Sequence, residues 1–98
     1  MTFSFAKERI VAISSDGIPM GSIAFPRIRP GLVDICQVTT DPRFRNRDVA
    51  GHMMEALLAY LTDQNQKAIL TSPFAQQYIG KHPHWKHILP GQLHFTTH

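Results

Sequence analysis

"TTDPRFRNRDVAGHMMEALLAYL", residues 39–61, changes character part-way along, and that change decides the fold. From Val49 onward apolar residues recur at Val49, Met53, Leu57 and Leu61, with Met54, Leu58 and Tyr60 beside them. This is helical spacing with a broad apolar face. Ahead of the helix stands a basic turn that holds Arg43, Arg45 and Arg47. A turn that cradles phosphate usually needs glycine, because bare backbone N–H groups must come close to the oxygens. Asn46 and Asp48 occupy positions where glycines would be expected. Asp48 is also a natural N-cap, able to accept from the N–H of Ala50 or Gly51 and to stabilise the helix by about 0.5–2 kcal/mol. A phosphate would use the same N–H groups. The stretch therefore poses a choice between an anion-binding helix end and a self-capped one.

Upstream, the chain reads as strands. "RIVAIS" (9–14) is short and β-branched, and Asp16-Gly17 is a preferred hairpin pair before "IPMGSIAF" (18–25). "PRIRPG" (26–31) reads as a loop, and "LVDICQVTT" (32–40) as a third, central strand. Residues 3–5 begin an edge strand or fray. Downstream, "DQNQ" (63–66) ends the helix and "KAILTS" (67–72) reads as another strand. "PFAQQYIGK" (73–81) is a second helix with proline in its first turn. The strand–helix–strand unit over 32–72 implies a parallel pair with a right-handed crossover. The expected fold is α/β, with a mixed, mostly antiparallel twisted sheet of about four or five strands and two main helices.

The 98 residues suit one domain, with a core over roughly 8–90 and a tail over 91–98. A content of 43% hydrophobic and 17% charged residues argues against disorder. The net charge of +3 fits an anionic ligand, yet no recognition motif points to nucleic acid. The single cysteine, Cys36, excludes an internal disulfide and suits a reducing cytoplasm; its apolar strand suggests a buried, inert thiol. No signal-peptide pattern opens the chain, and no stretch approaches the roughly 20 apolar residues of a membrane span. A soluble, cytoplasmic protein is expected, as a monomer or homodimer.

Two stretches together resemble a family. "TTDPRFRNRDVAGHMMEALLAYL" resembles the acyl-CoA-binding segment of GNAT-type N-acetyltransferases, in which a strand and turn lead into Arg/Gln-x-x-Gly-x-Gly/Ala at a helix start. "LTSPFAQQYIGKHPHW" (70–85) resembles the C-terminal signature of the small, single-domain GNAT-like proteins: a cysteine, Pro-Phe-Ala, a tyrosine and a Lys-His-Pro turn ending in an aromatic. The resemblance implies acetyl-CoA as cosubstrate and a primary amine, on a small molecule or a protein, as acceptor. It implies that the pyrophosphate sits on backbone N–H groups of Arg45, Asn46, Arg47, Asp48, Val49 and Ala50, with Thr39 and Thr40 at the strand end and Phe74 in the pocket wall. The pantetheine arm would lie where strand 32–40 splays from strand 67–72. The amine would attack the thioester carbonyl directly, and an acid could protonate the departing thiolate.

The departures bear on chemistry. Gln37, Val38 and Thr39 stand where the small family usually has His-Thr and an acidic or similar residue, and glutamine cannot act as a base. Ser72 replaces the cysteine before Pro-Phe-Ala. The catalytic candidates are Ser72, Tyr78 and Gln37, against plainer readings: Ser72 as an N-cap before Pro73, Tyr78 as core with a satisfied hydroxyl. Glu8, Asp34 and water chains stay open as the base. His82, His84 and His87 invite a zinc reading, but Pro83 and the irregular surroundings argue against convergence, and no metal is expected. A rival function belongs to another class: a non-catalytic domain of this fold that senses acyl-CoA or serves protein interaction.

Overall fold

The computed structural model describes residues 1–91 and, within them, every side chain except that of Asn46. The tail read over 91–98 therefore lies, Gly91 apart, outside the described residues. Helix α1 (Val49–Asp63) organises the fold. Its apolar face, with Met53, Met54, Leu57, Leu58 and Leu61 fully buried, packs on Ile10, Ala12, Ile23 and Ile35 of the sheet. Gly21 permits the close approach: a Cβ there would stand 2.6 Å from the Thr39 carbonyl oxygen and 3.0 Å from Met53 Cε.

Strands β1 (Thr2–Ala6), β2 (Arg9–Ile13) and β3 (Pro19–Ala24) form antiparallel hairpins. The edge strand suggested for residues 3–5 is formed as β1. The segment 26–31, read as a loop, contains a short strand β4 (Arg27–Arg29) that pairs antiparallel with β5 (Leu32–Ile35).

The strand expected over 32–40 divides at Cys36. Its first half, β5, pairs parallel with β7 (Lys67–Leu70); its second half, β6 (Gln37–Thr40), pairs antiparallel with β3. The result is a four-stranded sheet ordered β1-β2-β3-β6 and a three-stranded sheet ordered β4-β5-β7. The two meet at Cys36, whose N–H donates to the Ala24 carbonyl at 3.2 Å. Thr71 and Ser72 still donate to the Ile35 carbonyl, and beyond that point β6 leaves with β3 while the chain after β7 turns into α2. Cys36 is exposed, contrary to the buried thiol expected. Alternation explains this: Val33 and Ile35 point into the core, so Cys36 points out.

A 3₁₀ helix (Pro42–Arg47) follows β6, and α2 (Pro73–Lys81) follows β7. A second 3₁₀ helix (Pro83–Ile88) covers part of the stretch read as irregular, and Ile88 closes the core. No helix among the described residues is long and apolar enough to cross a membrane.

Candidate active-site groove

Three helix starts show how local backbone sets the chemistry. Asp41 (φ −61°, ψ 130°) is extended, and its carboxylate caps the first 3₁₀ helix by accepting from Arg43 N at 2.9 Å. Ser72 (φ −73°, ψ 127°) is also extended, and its buried Oγ caps α2 by accepting from Ala75 N at 3.3 Å. Asp48 differs. It closes the first 3₁₀ helix and opens α1 at once, in the left-handed conformation (φ 50°, ψ 42°), and its side chain makes no capping bond. The self-capped helix weighed for Asp48 is thus corrected: an N-cap needs extended backbone, and the abutting 3₁₀ helix denies it. The carboxylate instead lies beside Gly51, where a Cβ would meet its two oxygens at 2.6 and 2.7 Å. The first-turn amides of α1, which have no acceptor within the helix, receive no side-chain cap.

These amides stand at a groove of about 390 Å³ between α1 and α2. Asp48, Gly51, His52 and Glu55 form one wall, and Phe74, Gln77, Tyr78 and Lys81 the other; His82, His84 and Trp85 close the end. The Tyr78 ring stacks on His82 at 4.1 Å and lies 6.2 Å from Phe74. Partial burial pushes the Tyr78 phenol above its ordinary value, and the charges of Glu55 and Asp48 add to this. The hydroxyl therefore keeps its proton at neutral pH and is a donor.

Of the residues expected at the site, Asp48, Phe74 and Tyr78 meet in this groove. Val49 is in the core, so only its backbone is available; Ala50 is half-buried. Two of the three arginines are engaged outside the groove. Arg43 is ion-paired to Asp41 at 2.9 Å, and both it and Arg47 lie over the Phe44 ring, at 5.5 and 5.9 Å. Arg47 lines a different cavity, with Ser14 and Met20; Arg45 is exposed. Thr40 ends β6, half-buried. Gln37 and Thr39 alternate with Val38, which packs on the core, so they face away from α1. Thr39 Oγ1 lies 3.0 Å from Ser22 Oγ on that open face. Ser72 is the cap its sequence context suggested. Glu8 accepts from Arg27 N at 2.9 Å and Asp34 from Thr71 Oγ1 at 2.8 Å; neither lines the groove. His52, Glu55, Gln77 and Lys81 line the groove without having been expected there. Helical spacing held the signal: 48, 51–52 and 55 share a face of α1, and 74, 77–78 and 81 share a face of α2. Among the described residues, no group of three or more His, Cys, Asp or Glu could hold a metal ion.

A sequence profile of the GCN5-related N-acetyl-transferase family matches residues 9–88. The chain belongs to this family. The match spans β2 to the second 3₁₀ helix and so includes both walls of the groove. Among solved structures, the fold is similar to that of a GCN5-like protein from Staphylococcus aureus, with TM-score 0.72 at 11% identity over 90% of this chain and 86% of that one. It is also similar to Ard1 from Thermoplasma volcanium, with TM-score 0.57 at 25% identity over 64% of this chain; the match spans 43% of the Ard1 chain. No curated protein matches the chain in sequence. The family carries the fold expectation: a mixed, mostly antiparallel GNAT-like arrangement with two main helices.

Proposed function

We propose that this 98-residue chain is one GNAT domain that transfers an acetyl group from acetyl-CoA to a primary amine. The carrying observation is the start of α1, whose first-turn amides lack a side-chain cap where Asp48, Gly51 and His52 line the groove. Such a helix end favours an anion, through its free donors and its dipole. The residues fit a CoA-type ligand in that the uncapped amides of the first turn of α1, over 49–51, can hold the pyrophosphate and Phe74 can flank the arm. The amides from 45 to 48 lie in or just after the first 3₁₀ helix, whose own bonds engage them. Bound acetyl-CoA would supply the thioester that the amine attacks. The chain's own part is to orient it and to place the protonated Tyr78 hydroxyl as donor for the departing thiolate. Asp48 opposes the ligand, because its carboxylate lies next to the anion site. The lone free cysteine suits a cytoplasmic setting.

One observation favours the rival, a non-catalytic acyl-CoA binder: none of the expected base positions serves the groove, since Gln37 cannot take a proton and Glu8 and Asp34 are engaged elsewhere, which leaves that role to His52 or Glu55. Isothermal titration with acetyl-CoA tests both readings. Saturable micromolar binding supports them, and no binding at millimolar ligand sinks them. Loss of thioester in the presence of an amine panel then separates enzyme from sensor.

A further inference from the structure

Strand β1 is one edge of the four-stranded sheet, β6 being the other. Native edges are usually blunted by charge, proline or bulges. Strand β4, an edge of the other sheet, follows that rule, since it carries Arg27 and Arg29 between Pro26 and Pro30. Strand β1 does not. Its sequence, Thr2-Phe3-Ser4-Phe5-Ala6, holds no charge and no proline, and its register with β2 runs unbroken over all five residues. Large apolar groups lie exposed beside it: Phe5 is 40% exposed, stacked at 4.5 Å on Tyr60, itself 38% exposed.

The centre of the strand, Phe3-Ser4-Phe5, is also symmetric about Ser4. Two copies of one edge can pair only antiparallel about a two-fold axis, which makes the contact isologous. Directly opposed residues then point to the same face. The register that uses all five residues sets Ser4 against Ser4, Phe3 against Phe5 and Thr2 against Ala6. Phe3 packs on the core and Phe5 on Tyr60, so both rings point to the helix side, and each Phe3–Phe5 pair becomes a cross-strand aromatic contact. We propose that β1 is a self-association edge: two copies of this chain join β1 to β1, centred on Ser4, into one continuous eight-stranded sheet. The helices of both copies lie on one face, and the α1–α2 grooves stay open. The seam is shorter than a standard interface of about 1,600 Å², so association falls in the micromolar-to-millimolar range.

Crosslinking tests the register. In a Cys36→Ser background, which removes the exposed native thiol, Ser4→Cys sets two thiols on the axis. Opposed Cα atoms there lie about 4.5–5.5 Å apart, within disulfide reach. Thr2→Cys places its two thiols about 14 Å apart, at about 3.4 Å per residue. With diamide as oxidant, Ser4→Cys is expected to give a disulfide dimer and Thr2→Cys little or none. Sedimentation velocity of the native chain should show a weight-average mass climbing towards twice the chain mass with concentration. Ser4→Lys, which opposes two like charges across the axis, should lower that rise while leaving the circular dichroism unchanged. A chain that stays monomeric at millimolar concentration overturns the proposal. So does a dimer that crosslinks at position 2 as readily as at position 4, or one indifferent to Ser4→Lys.

Discussion

Asp48 holds a left-handed backbone that costs a residue with a Cβ about 1–2 kcal/mol. Glycine would adopt it freely, though glycine loses more freedom on folding, by about 0.5–1 kcal/mol. Asp48→Gly should therefore change folding stability by less than about 1 kcal/mol. It should tighten acetyl-CoA binding roughly threefold to tenfold, because the carboxylate no longer competes for the helix end. Titration calorimetry checks this, and unchanged or weaker binding would place the pyrophosphate elsewhere. Gly51 is coupled to the same carboxylate. Alanine in a helix is worth about 1 kcal/mol over glycine, but a Cβ at 51 would lie 2.6 Å from an Asp48 oxygen. Gly51→Ala should thus stabilise the Asp48→Gly protein and give less, or reverse sign, in the parent. Urea unfolding of the four proteins measures that coupling; simple additivity would refute the contact. The position of the arginine-rich turn could be read from sequence, but the conformation of Asp48 could not. Cap preference belongs to the residue type, whereas φ here is imposed by a 3₁₀ helix running straight into α1.

At the level of elements, the two side-chain caps that do form make distinct predictions. Asp41 is held down from an ordinary 3.8 to about 2, first by its side-chain bonds from Arg43, then by the Arg43 backbone N–H. A folded value below the unfolded one adds stability that is complete above about pH 4 and fades as pH falls through about 2. The stability difference between the native chain and Asp41→Asn should shrink across that window. It should also shrink with added salt, since the pair is exposed. A difference flat with pH would show that the pairing is absent in solution. Ser72→Ala removes the α2 cap, which is expected to cost about 0.5–2 kcal/mol and to lower the thermal midpoint by about 4–8 °C per kcal/mol. Calorimetry measures the loss. If Ser72 only caps, turnover well below the midpoint is unchanged, and a collapse of kcat in a folded Ser72→Ala protein would restore it as a catalytic group. Both main helices and the β2–β3 hairpin were readable because period and turn residues agree there. The division of 32–40 was not: Cys36 and Gln37 are both exposed, so the alternation of buried residues slips by one there, and no glycine or proline in the stretch announces the break. Strand β4, three residues between prolines, carries too short a pattern to register.

At the scale of the whole molecule, the strand–helix–strand order over 32–72 already demanded the parallel β5–β7 pair. What it left unstated was that the sheet would part at one residue. The groove also depends on α1 and α2 facing each other, a tertiary fact that helical spacing on each element only prepares. The architecture has a thermodynamic consequence. One limb of the divided sheet is tied through β3 to β6, the other through β5 to β7, and α1 packs across both. A ligand held between the start of α1, α2 and the divergent strands binds only when all of these are assembled. Its binding free energy therefore adds to the stability of the entire domain and not to one loop. At a free concentration of about 100 times Kd the gain is about 2.7 kcal/mol. For a chain of this size that raises the thermal midpoint by roughly 10–20 °C. Scanning calorimetry with increasing acetyl-CoA should show this shift. Pantetheine alone, without the pyrophosphate that the helix end would hold, should produce little of it. Asp48→Gly should move further than the native chain at equal ligand. An equal shift from pantetheine would put the binding energy in the strand divergence and remove the helix end from the site. No shift with millimolar acetyl-CoA would leave the fold intact and the acetyl-transfer reading without its ligand.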